Sequence, residues 1–313
     1  MNRAPPADKA SAQEVVLING VAWDSAAAGV TDPAADAGDP AAGPASRAAG
    51  ISPYDRGLQF GDGLFETIAC RNSRARFLAW HLERLSQGCE RLLIATPDLR
   101  ELSDEVEMLA RGAQNSLVKV MLTRGVATAR GYSPSGREKP TRVTFRFPWP
   151  HENPAWLQDG VRVRTAALRM GESSALAGVK HLNRLEQILA KAESNDADVA
   201  EALLYSSSGL LVSGTMSNVF LVRNSRVQTP MLDRFGVAGV MRRAVLAEAA
   251  RLGIATDVCN LRAEDIVAAD EVFLTNARIG IWAVREIDGR TLRPGPVTRR
   301  LQQQLATMES PNA

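Results

Sequence analysis

The sequence predicts an α+β protein of two unequal domains. Segments of strand length with apolar residues are interleaved with segments whose apolar residues recur every three or four positions, as helices require. The chain also carries a break, because Pro148-Trp149-Pro150-His151-Glu152-Asn153-Pro154 has three prolines in seven residues and cannot form regular structure. We therefore expect a smaller N-terminal domain over 14–149 and a larger C-terminal domain over 150–313.

The N-terminal half begins with a strand over 14–21, Glu-Val-Val-Leu-Ile-Asn-Gly-Val, which runs into an Asn-Gly turn. Residues 1–13 are polar and rich in proline and alanine, and residues 24–50 hold almost no large apolar side chain. Such segments bury too little surface to offset the entropy of ordering, so we expect a disordered N-terminus and a flexible insertion. The remaining elements expected in this half are a turn and strand over 54–70, helices over 79–93 and 98–111, and strands over 116–123 and 141–147.

The C-terminal half alternates between the two periodicities. We expect strands over 161–168, 202–206, 210–212, 218–222 and 270–275, and helices over 182–194, 240–252 and 297–308. The first of these helices carries an apolar face made of Leu182, Leu185, Ile188, Leu189 and Ala192.

Composition excludes several classes of function. The formal net charge is +2 and the basic residues are scattered, which argues against nucleic acid as a partner. The three cysteines, Cys70, Cys89 and Cys259, match no metal or disulfide spacing. No stretch approaches the ~20 apolar residues of a membrane span, and residues 1–13 lack an apolar core of signal-peptide length. We expect a cytoplasmic protein without metal or membrane.

The functional interpretation depends on Lys180. Five of the 37 basic residues are lysines: Lys9, Lys119, Lys139, Lys180 and Lys191. An arginine-rich chain keeps lysine where an amine is required, since lysine can lose its proton and form a Schiff base whereas arginine stays protonated. Lys180 follows a run of small apolar residues and precedes a helical pattern. The local sequence alone is also consistent with another interpretation, in which Lys180 is a solvent-exposed lysine at a helix N-terminus.

Two further segments suit a cofactor that carries both an aldehyde and a phosphate. Gly236-Val237-Ala238-Gly239 precedes a helix, and the free N–H groups and positive dipole end of a helix bind anions. Thr275-Asn276-Ala277 ends a strand with short polar groups that can complete an anion cup. Neither segment is specific alone, because glycines before a helix are usually only a loop.

In this order, the motifs resemble those of the fold-type IV enzymes that depend on pyridoxal 5'-phosphate. That family includes branched-chain and D-amino-acid aminotransferases and 4-amino-4-deoxychorismate lyase. The matching segments, which span most of the chain from Leu17 onward, are 55–63, 81–85, 119–125, 177–187, 201–205, 214–220, 236–242 and 270–277. Within the family, Ala177-Gly178-Val179-Lys180-His181-Leu182-Asn183-Arg184 together with Arg130-Gly131-Tyr132 most resembles the lyase branch.

The resemblance implies a smaller N-terminal α/β domain, a larger C-terminal domain with the cofactor lysine, and a homodimer. Lys180 would hold the aldehyde of pyridoxal 5'-phosphate and later transfer protons. Arg84 would contact the phosphate, although an exposed helix charge is the commoner fate of such an arginine. The other implied phosphate contacts are the backbone N–H groups of Val240 and Met241, with Asn276 and Ala277 opposite.

The resemblance also assigns the substrate side. Arg130 and Tyr132 lie in the loop that would bind the substrate carboxylate, which a guanidinium can pair with as a bidentate fork. On the residues alone, this segment can equally be a mobile surface loop.

Ser213 departs from the family pattern. The family normally places a glutamate there, which pairs with the pyridine nitrogen of the cofactor and keeps the ring a strong electron sink. A serine hydroxyl leaves that nitrogen largely neutral. An elimination whose product is aromatic needs less of a sink than transamination does, so Ser213 favours the lyase.

The activity implied is elimination of pyruvate from 4-amino-4-deoxychorismate to give 4-aminobenzoate for folate biosynthesis. Two alternatives stay open. An aminotransferase for D- or branched-chain amino acids would share every cofactor residue, and a non-catalytic binding protein would retain the fold, although the intact Lys180 argues against it.

Overall fold

The computed structural model describes residues 14–23, 50–127, 130–151 and 153–308. The expected disordered N-terminus and nearly all of the expected 24–50 insertion lie outside these residues. The chain divides into two compact units: the first comprises 1–76 and 92–149, and the second comprises 77–91 and 150–313.

The first half of the chain contributes short elements at its N-terminus and longer ones after residue 60. They are β1 (Val15–Ile18), β2 (Val21–Ala22), α1 (Arg56–Phe60), β3 (Gly63–Arg71), β4 (Arg74–Ala75), α2 (Leu78–Leu92), α3 (Leu99–Ala110), β5 (Asn115–Thr123) and β6 (Thr141–Pro148). In the second half they are α4 (Ala155–Asp159), β7 (Val161–Met170), α5 (Leu185–Ala192), β8 (Val199–Ser206), β9 (Leu211–Gly214), β10 (Asn218–Arg223), β11 (Arg226–Pro230), α6 (Val240–Arg251), β12 (Thr256–Cys259), α7 (Ala263–Val267), β13 (Glu271–Asn276), β14 (Gly280–Ile287), β15 (Arg290–Thr291) and α8 (Pro296–Thr307).

The first unit is built on an antiparallel sheet. Its described strands form a six-stranded sheet in the order β2-β1-β6-β5-β3-β4. Helix α3 packs against β4, β5 and β6. Under the helix, Glu105 accepts a hydrogen bond from the Thr144 hydroxyl and another, of 2.7 Å, from the Arg142 guanidinium. The buried charge of Glu105 is thereby paired within the unit.

The second unit is built on a larger mixed sheet. Its described strands run in the order β12-β11-β10-β13-β14-β7-β8-β9, with β15 paired to β14. Strand β7 pairs in parallel with both β8 and β14, so its neighbours are distant in sequence. Helices α6 and α8 pack on β13, where Phe220 and Phe273 stack with ring centroids 4.9 Å apart. This core fixes the N-terminal end of α6, which the site requires.

Helix α2 corrects the expected domain boundary. Sequence analysis assigned all of 14–149 to the N-terminal domain, whereas residues 77–91 group with the second unit. The physical reason is that Phe77 and the partly buried Trp80 pack in one apolar cluster with Val240, Met241 and Phe273. A helix that lies early in the sequence thus belongs to the core of the later unit.

Most expected elements are present, with shifted ends. The helix expected over 182–194 is shorter and spans Leu185–Ala192. Residues 181–184 are not helical. Its apolar face is exposed: 71% of Leu185, 60% of Ile188 and 59% of Leu189 are accessible. Strands β11, β12 and β14 were not expected from the sequence.

Candidate active site

The segment that carries Lys180 is paired with the turn that precedes α6. The Gly178 N–H donates to the Gly236 carbonyl over 3.0 Å, and the Ala238 N–H donates to the Gly178 carbonyl over 3.0 Å. Lys180 comes two residues later, so these two backbone hydrogen bonds fix the lysine segment beside the start of helix α6.

The N-terminus of α6 presents backbone donors. Gly239 is the cap residue and has no side chain with which to accept from the first turn. The side chains of Val240 and Met241 are buried in the core, at 4% and 1% exposure. Only their backbone N–H groups are therefore suited to an anion, and the helix dipole favours one at this end.

Arg84 reaches the same turn from helix α2. Its Nη1 donates to the Ala238 carbonyl over 2.9 Å, which holds the guanidinium one residue from the helix cap. The structure thus brings Arg84 together with the Lys180 segment and the start of α6. A cavity of about 580 Å³ adjoins them, lined by Arg84, Gln87, Gly88, Glu90, Arg91, Ala177, Gly178, Val179 and Ala238.

Asn218 ties β10 to this turn. Its Nδ2 donates to the Val237 carbonyl over 2.9 Å. A Cβ on Gly239 would lie 2.0 Å from the Oδ1 of Asn218, so position 239 must be glycine for the turn to pack this closely. Sequence analysis assigned no role to Asn218, which here acts as a positioning residue.

Glu201 organises the turn between β9 and β10. Its carboxylate accepts from the backbone N–H groups of Thr215 and Met216, each over 3.0 Å. It also accepts from the hydroxyls of Thr215 and Ser217, and from the N–H of Ala202. A Cβ on Gly214 would lie 2.7 Å from Cγ of Glu201. These donors stabilise the buried charge and fix the path of the turn.

Asn276 joins that turn to the end of β13. Its Nδ2 donates to the Met216 carbonyl over 3.0 Å, and its Oδ1 accepts from the N–H groups of Arg278 and Ile279. The amide is therefore used within the protein. For an anion, Asn276 has the second N–H of this amide and its backbone N–H, and Ala277 has its backbone N–H alone.

Ser213 lies at the end of this connected set. Its exposure is 8%, and its hydroxyl donates to the Gly214 carbonyl over 2.8 Å. The nearby carboxylate of Glu201 is occupied by its five donors, so it does not replace the glutamate that sequence analysis expected in the family at position 213.

Arg130 and Tyr132 belong to the first unit. Both are exposed, Tyr132 at 82%, and the Tyr132 ring contacts Phe60 with centroids 5.4 Å apart. The carbonyls of Gly131 and Tyr132 accept hydrogen bonds from the buried guanidinium of Arg56.

The family is given by comparison with known proteins. A model of the amino-transferase class IV family matches residues 63–287. The chain belongs to this family. It is 36% identical over 257 residues to the aminodeoxychorismate lyase of Vibrio harveyi, covering 81% of this chain and 94% of that lyase. It is 32% identical over 260 residues to a putative branched-chain-amino-acid aminotransferase of Methanocaldococcus jannaschii, covering 81% and 89%.

Solved structures agree on the fold. The crystal structure of 4-amino-4-deoxychorismate lyase from Pseudomonas aeruginosa superposes with a TM-score of 0.79 at 41% identity, covering 82% of this chain and 95% of that one. The branched-chain amino acid aminotransferase of Escherichia coli gives 0.80 at 21% identity, covering 95% and 94%, a likeness that concerns the fold alone. The expected fold-type IV architecture is confirmed, and the chain is an enzyme of this pyridoxal 5'-phosphate-dependent family.

The residues present fit that cofactor. Three side-chain atoms just after Lys180 are buried without a hydrogen-bond partner among the described residues: His181 Nδ1, Arg184 Nη2 and Gln187 Oε1. Unsatisfied buried polar atoms are costly and indicate that a polar group completes the site. The uncapped helix and the Arg84 guanidinium likewise suit a phosphate.

Within the described residues, no helix is both long and apolar enough to cross a membrane.

Sequence analysis gave no role to four residues that the structure places in or beside the candidate site: Glu201, Asn218, His181 and Arg184. Glu201 and Asn218 lie inside segments that it matched to the family, but a role appears only when their distant partners are known. The glycine at 239 gave no signal for Asn218, because a glycine before a helix is usually only part of a loop and does not name the group that approaches it.

We expect the free energy of unfolding to fall as the pH drops from about 6.5 towards about 4, in part because of His181. Burial, and after it the charge of Arg184, lowers the pKa of His181 from 6.5 to about 4. Between these values the unfolded chain binds a proton that the folded chain does not, so acid favours unfolding. The His181 ring is partly exposed, so solvent screening reduces the effect. We expect this residue to lower the free energy of unfolding by about 1–2 kcal/mol.

Urea unfolding at about pH 7 and about pH 4.5 measures this effect. Between the two pH values, the free energy of unfolding should fall less in His181→Gln than in the unsubstituted protein. In His151→Gln, which changes an exposed histidine, it should fall as much as in the unsubstituted protein. Equal losses in all three proteins would contradict the assignment.

Proposed function

We propose that the protein is a 4-amino-4-deoxychorismate lyase, which eliminates pyruvate from its substrate to give 4-aminobenzoate for folate biosynthesis. The observation that carries the proposal is the likeness to two lyases, at 36% and 41% identity over 94% and 95% of their lengths. Ser213 supports it independently, because a hydroxyl at that position suits an elimination that yields an aromatic ring.

In this proposal the second unit holds the cofactor. Bound pyridoxal 5'-phosphate supplies an electron sink for the carbon that loses its proton. Arg84 and the first-turn N–H groups of α6 would hold the phosphate, and Ser213 would be the residue that contacts the pyridine nitrogen. Lys180 would hold the cofactor through its amine, and that amine would become available as a base once the substrate amine takes its place.

The freed Lys180 amine then takes the proton from the substrate carbon that carries the amine. The bound cofactor would serve as the sink for the electron pair of that C–H bond, and the C–O bond to the enolpyruvyl group breaks, so that enolpyruvate leaves. Protonation of the leaving enolpyruvate gives pyruvate, and the remaining ring becomes aromatic. Arg130 and Tyr132 orient the substrate through its carboxylate.

Two groups are candidates for the proton given to the leaving group. Lys180 holds one after the first step. Thr67 is the second, and it lies directly across from Lys119 in the β3–β5 pair. Burial lowers the pKa of Lys119, which makes its ammonium a stronger acid than an exposed lysine. The Lys119 ammonium lies over the Phe65 ring, 5.6 Å from the ring centre, on the strand opposite Thr67.

An aminotransferase remains the second candidate, because the putative branched-chain enzyme of Methanocaldococcus jannaschii is 32% identical over 81% of this chain. Both activities use the same cofactor residues, so only substrates separate them.

We also propose a homodimer, supported by α5. Leu185, Ile188 and Leu189 form an apolar patch that is 59–71% exposed, and adjacent exposed side chains of this kind mark association surfaces.

The purified, cofactor-loaded enzyme should convert 4-amino-4-deoxychorismate to 4-aminobenzoate, read by chromatography. Lys180→Ala should lose about 10³-fold in rate, the scale of a lost general base. Lys191→Ala is the matched control, since its amine donates to the Ala200 carbonyl and has no role in the proposal. Absence of product from protein that shows the cofactor absorbance would refute the lyase and direct the test to D- and branched-chain amino acids.

Ser213→Glu should raise transamination of D-alanine or leucine by about tenfold or more, the change that 1.4 kcal/mol produces in a rate. The reason is that a carboxylate keeps the pyridine nitrogen protonated. Ser213→Gln introduces a side chain of similar size to glutamate but without charge, and it should leave the rate of transamination unchanged. If Ser213→Glu leaves transamination unchanged, position 213 does not govern the choice of reaction.

Ile188→Glu should shift the protein from dimer to monomer in sedimentation, because it places a charge in the α5 patch. Val267→Glu, at an apolar residue of α7 that is 62% exposed, is the control and should leave the dimer intact. A dimer that survives Ile188→Glu unchanged would place the interface elsewhere.

A further inference from the structure

Arg56 is a buried cation in the first unit that the proposed reaction does not use. It is 4% exposed, although it lies in the five-residue helix α1 at the surface. Its Nε pairs with Asp62 over 2.8 Å, and its guanidinium lies 5.1 Å from the centre of the Phe60 ring. Burying an arginine is costly, so its remaining donors must have partners that justify the position.

Those partners are backbone carbonyls of the loop that carries the proposed carboxylate ligands. Arg56 Nη1 donates to the Gly131 carbonyl over 3.1 Å, and Nη2 donates to the Tyr132 carbonyl over 2.7 Å. A planar fork of this kind fixes two successive peptide groups at once, which a single ammonium cannot do. The peptide groups on both sides of Tyr132 are thereby held in one orientation.

Asp62 anchors the fork. It accepts from Arg56 and also from Arg124, whose Nε lies 2.8 Å away. Burial raises the pKa of Asp62, but hydrogen bonds and charges from Arg124 and Arg56 outweigh it, so the pKa stays below its ordinary value. Unlike Arg56, Arg124 does not bind the 131–132 backbone with its other N–H groups. They donate hydrogen bonds to the carbonyls of Leu92 and Leu93 at the end of α2.

We propose that Arg56 is a positioning residue for substrate binding: its guanidinium, anchored on Asp62, holds the backbone of residues 131 and 132 so that Arg130 and Tyr132 are set to receive the substrate carboxylate. The inference rests on the proposed function, since it takes the role of those two residues from there. Arg56 itself does not touch the substrate.

The two arginines on Asp62 provide a matched pair of variants. Arg56→Lys and Arg124→Lys each keep a positive charge beside Asp62 and each lose a buried guanidinium fork, so their structural cost is similar. Only Arg56→Lys releases residues 131 and 132.

Two measurements on the full-length, cofactor-loaded enzyme test the proposal. In steady-state kinetics with 4-amino-4-deoxychorismate, Arg56→Lys should raise KM about tenfold with kcat within about twofold, as expected when uniform substrate binding is weakened. Arg124→Lys should leave KM within about twofold. A rise in KM of the same size in both variants, or in neither, would overturn the proposal.

The second measurement does not depend on the activity. Trypsin cuts after the exposed Arg130, and mass spectrometry follows the fragment that ends there. Release of the backbone should make this cleavage roughly fivefold faster in Arg56→Lys than in Arg124→Lys, because local opening governs cleavage. Equal cleavage rates in the two variants would overturn the proposal that Arg56 holds the backbone of residues 131 and 132. An unsubstituted enzyme without lyase activity would refute the proposed function, whereas the cleavage comparison would still decide whether Arg56 holds the loop.

Discussion

The pair of backbone hydrogen bonds between Gly178 and the 236–238 turn is the constraint on which the site depends. A reactive lysine is useful only if the phosphate that anchors its cofactor is held at a fixed distance from it. Here one turn serves both purposes. It pairs with the lysine segment on one side, continues into helix α6 on the other, and its Ala238 carbonyl holds the Arg84 guanidinium. Backbone contacts of this kind do not vary with side-chain rotamers, so the separation is set by the fold.

The distribution of carboxylates is the second feature that shapes the site. Glu201 is buried close to the turn that begins at Ser213, but its oxygens are occupied by five donors and it acts only on the protein. Position 213 itself carries a hydroxyl that is bonded to the next carbonyl. The environment of the pyridine nitrogen in the proposed lyase is therefore polar without being anionic, which limits how strongly the cofactor can withdraw electrons.

Sequence analysis predicted the elements whose periodicity is regular and local. Helices α2, α3, α6 and α8 and the long strands β3, β5 and β7 have ends close to those expected. It did not predict β14, which pairs with the adjacent β13 and with the distant β7: residues 281–284 are all buried, so the strand lacks the alternation of apolar and polar residues that marks a half-buried strand. It found the apolar face of α5, but periodicity shows only that a face exists. Whether the face is covered depends on the rest of the fold, and here it is exposed.

The residues of the candidate site show the same difference between local sequence signals and contacts that are distant in the chain. Lys180 and the glycine-rich turn were recognisable because the chemistry of each is local. Glu201 was not, since a glutamate in an apolar strand has no meaning until its donors, fourteen to sixteen positions later, are placed. Arg56 escaped notice for the same reason, because its partners in the 131–132 loop are more than seventy residues away.

The assignment of α2 to the second unit has a consequence for the order of synthesis. The ribosome produces Phe77, Trp80 and Arg84 early, yet the residues that cover the two rings, from Phe220 to Leu305, emerge last. Until then the two rings have only each other to pack against, with centroids 5.5 Å apart. The chain also passes from one unit to the other after Arg76, after Arg91 and after Trp149. A fragment that starts at the proline-rich segment therefore lacks both Arg84 and part of the core of the second unit, and neither unit is a continuous piece of chain.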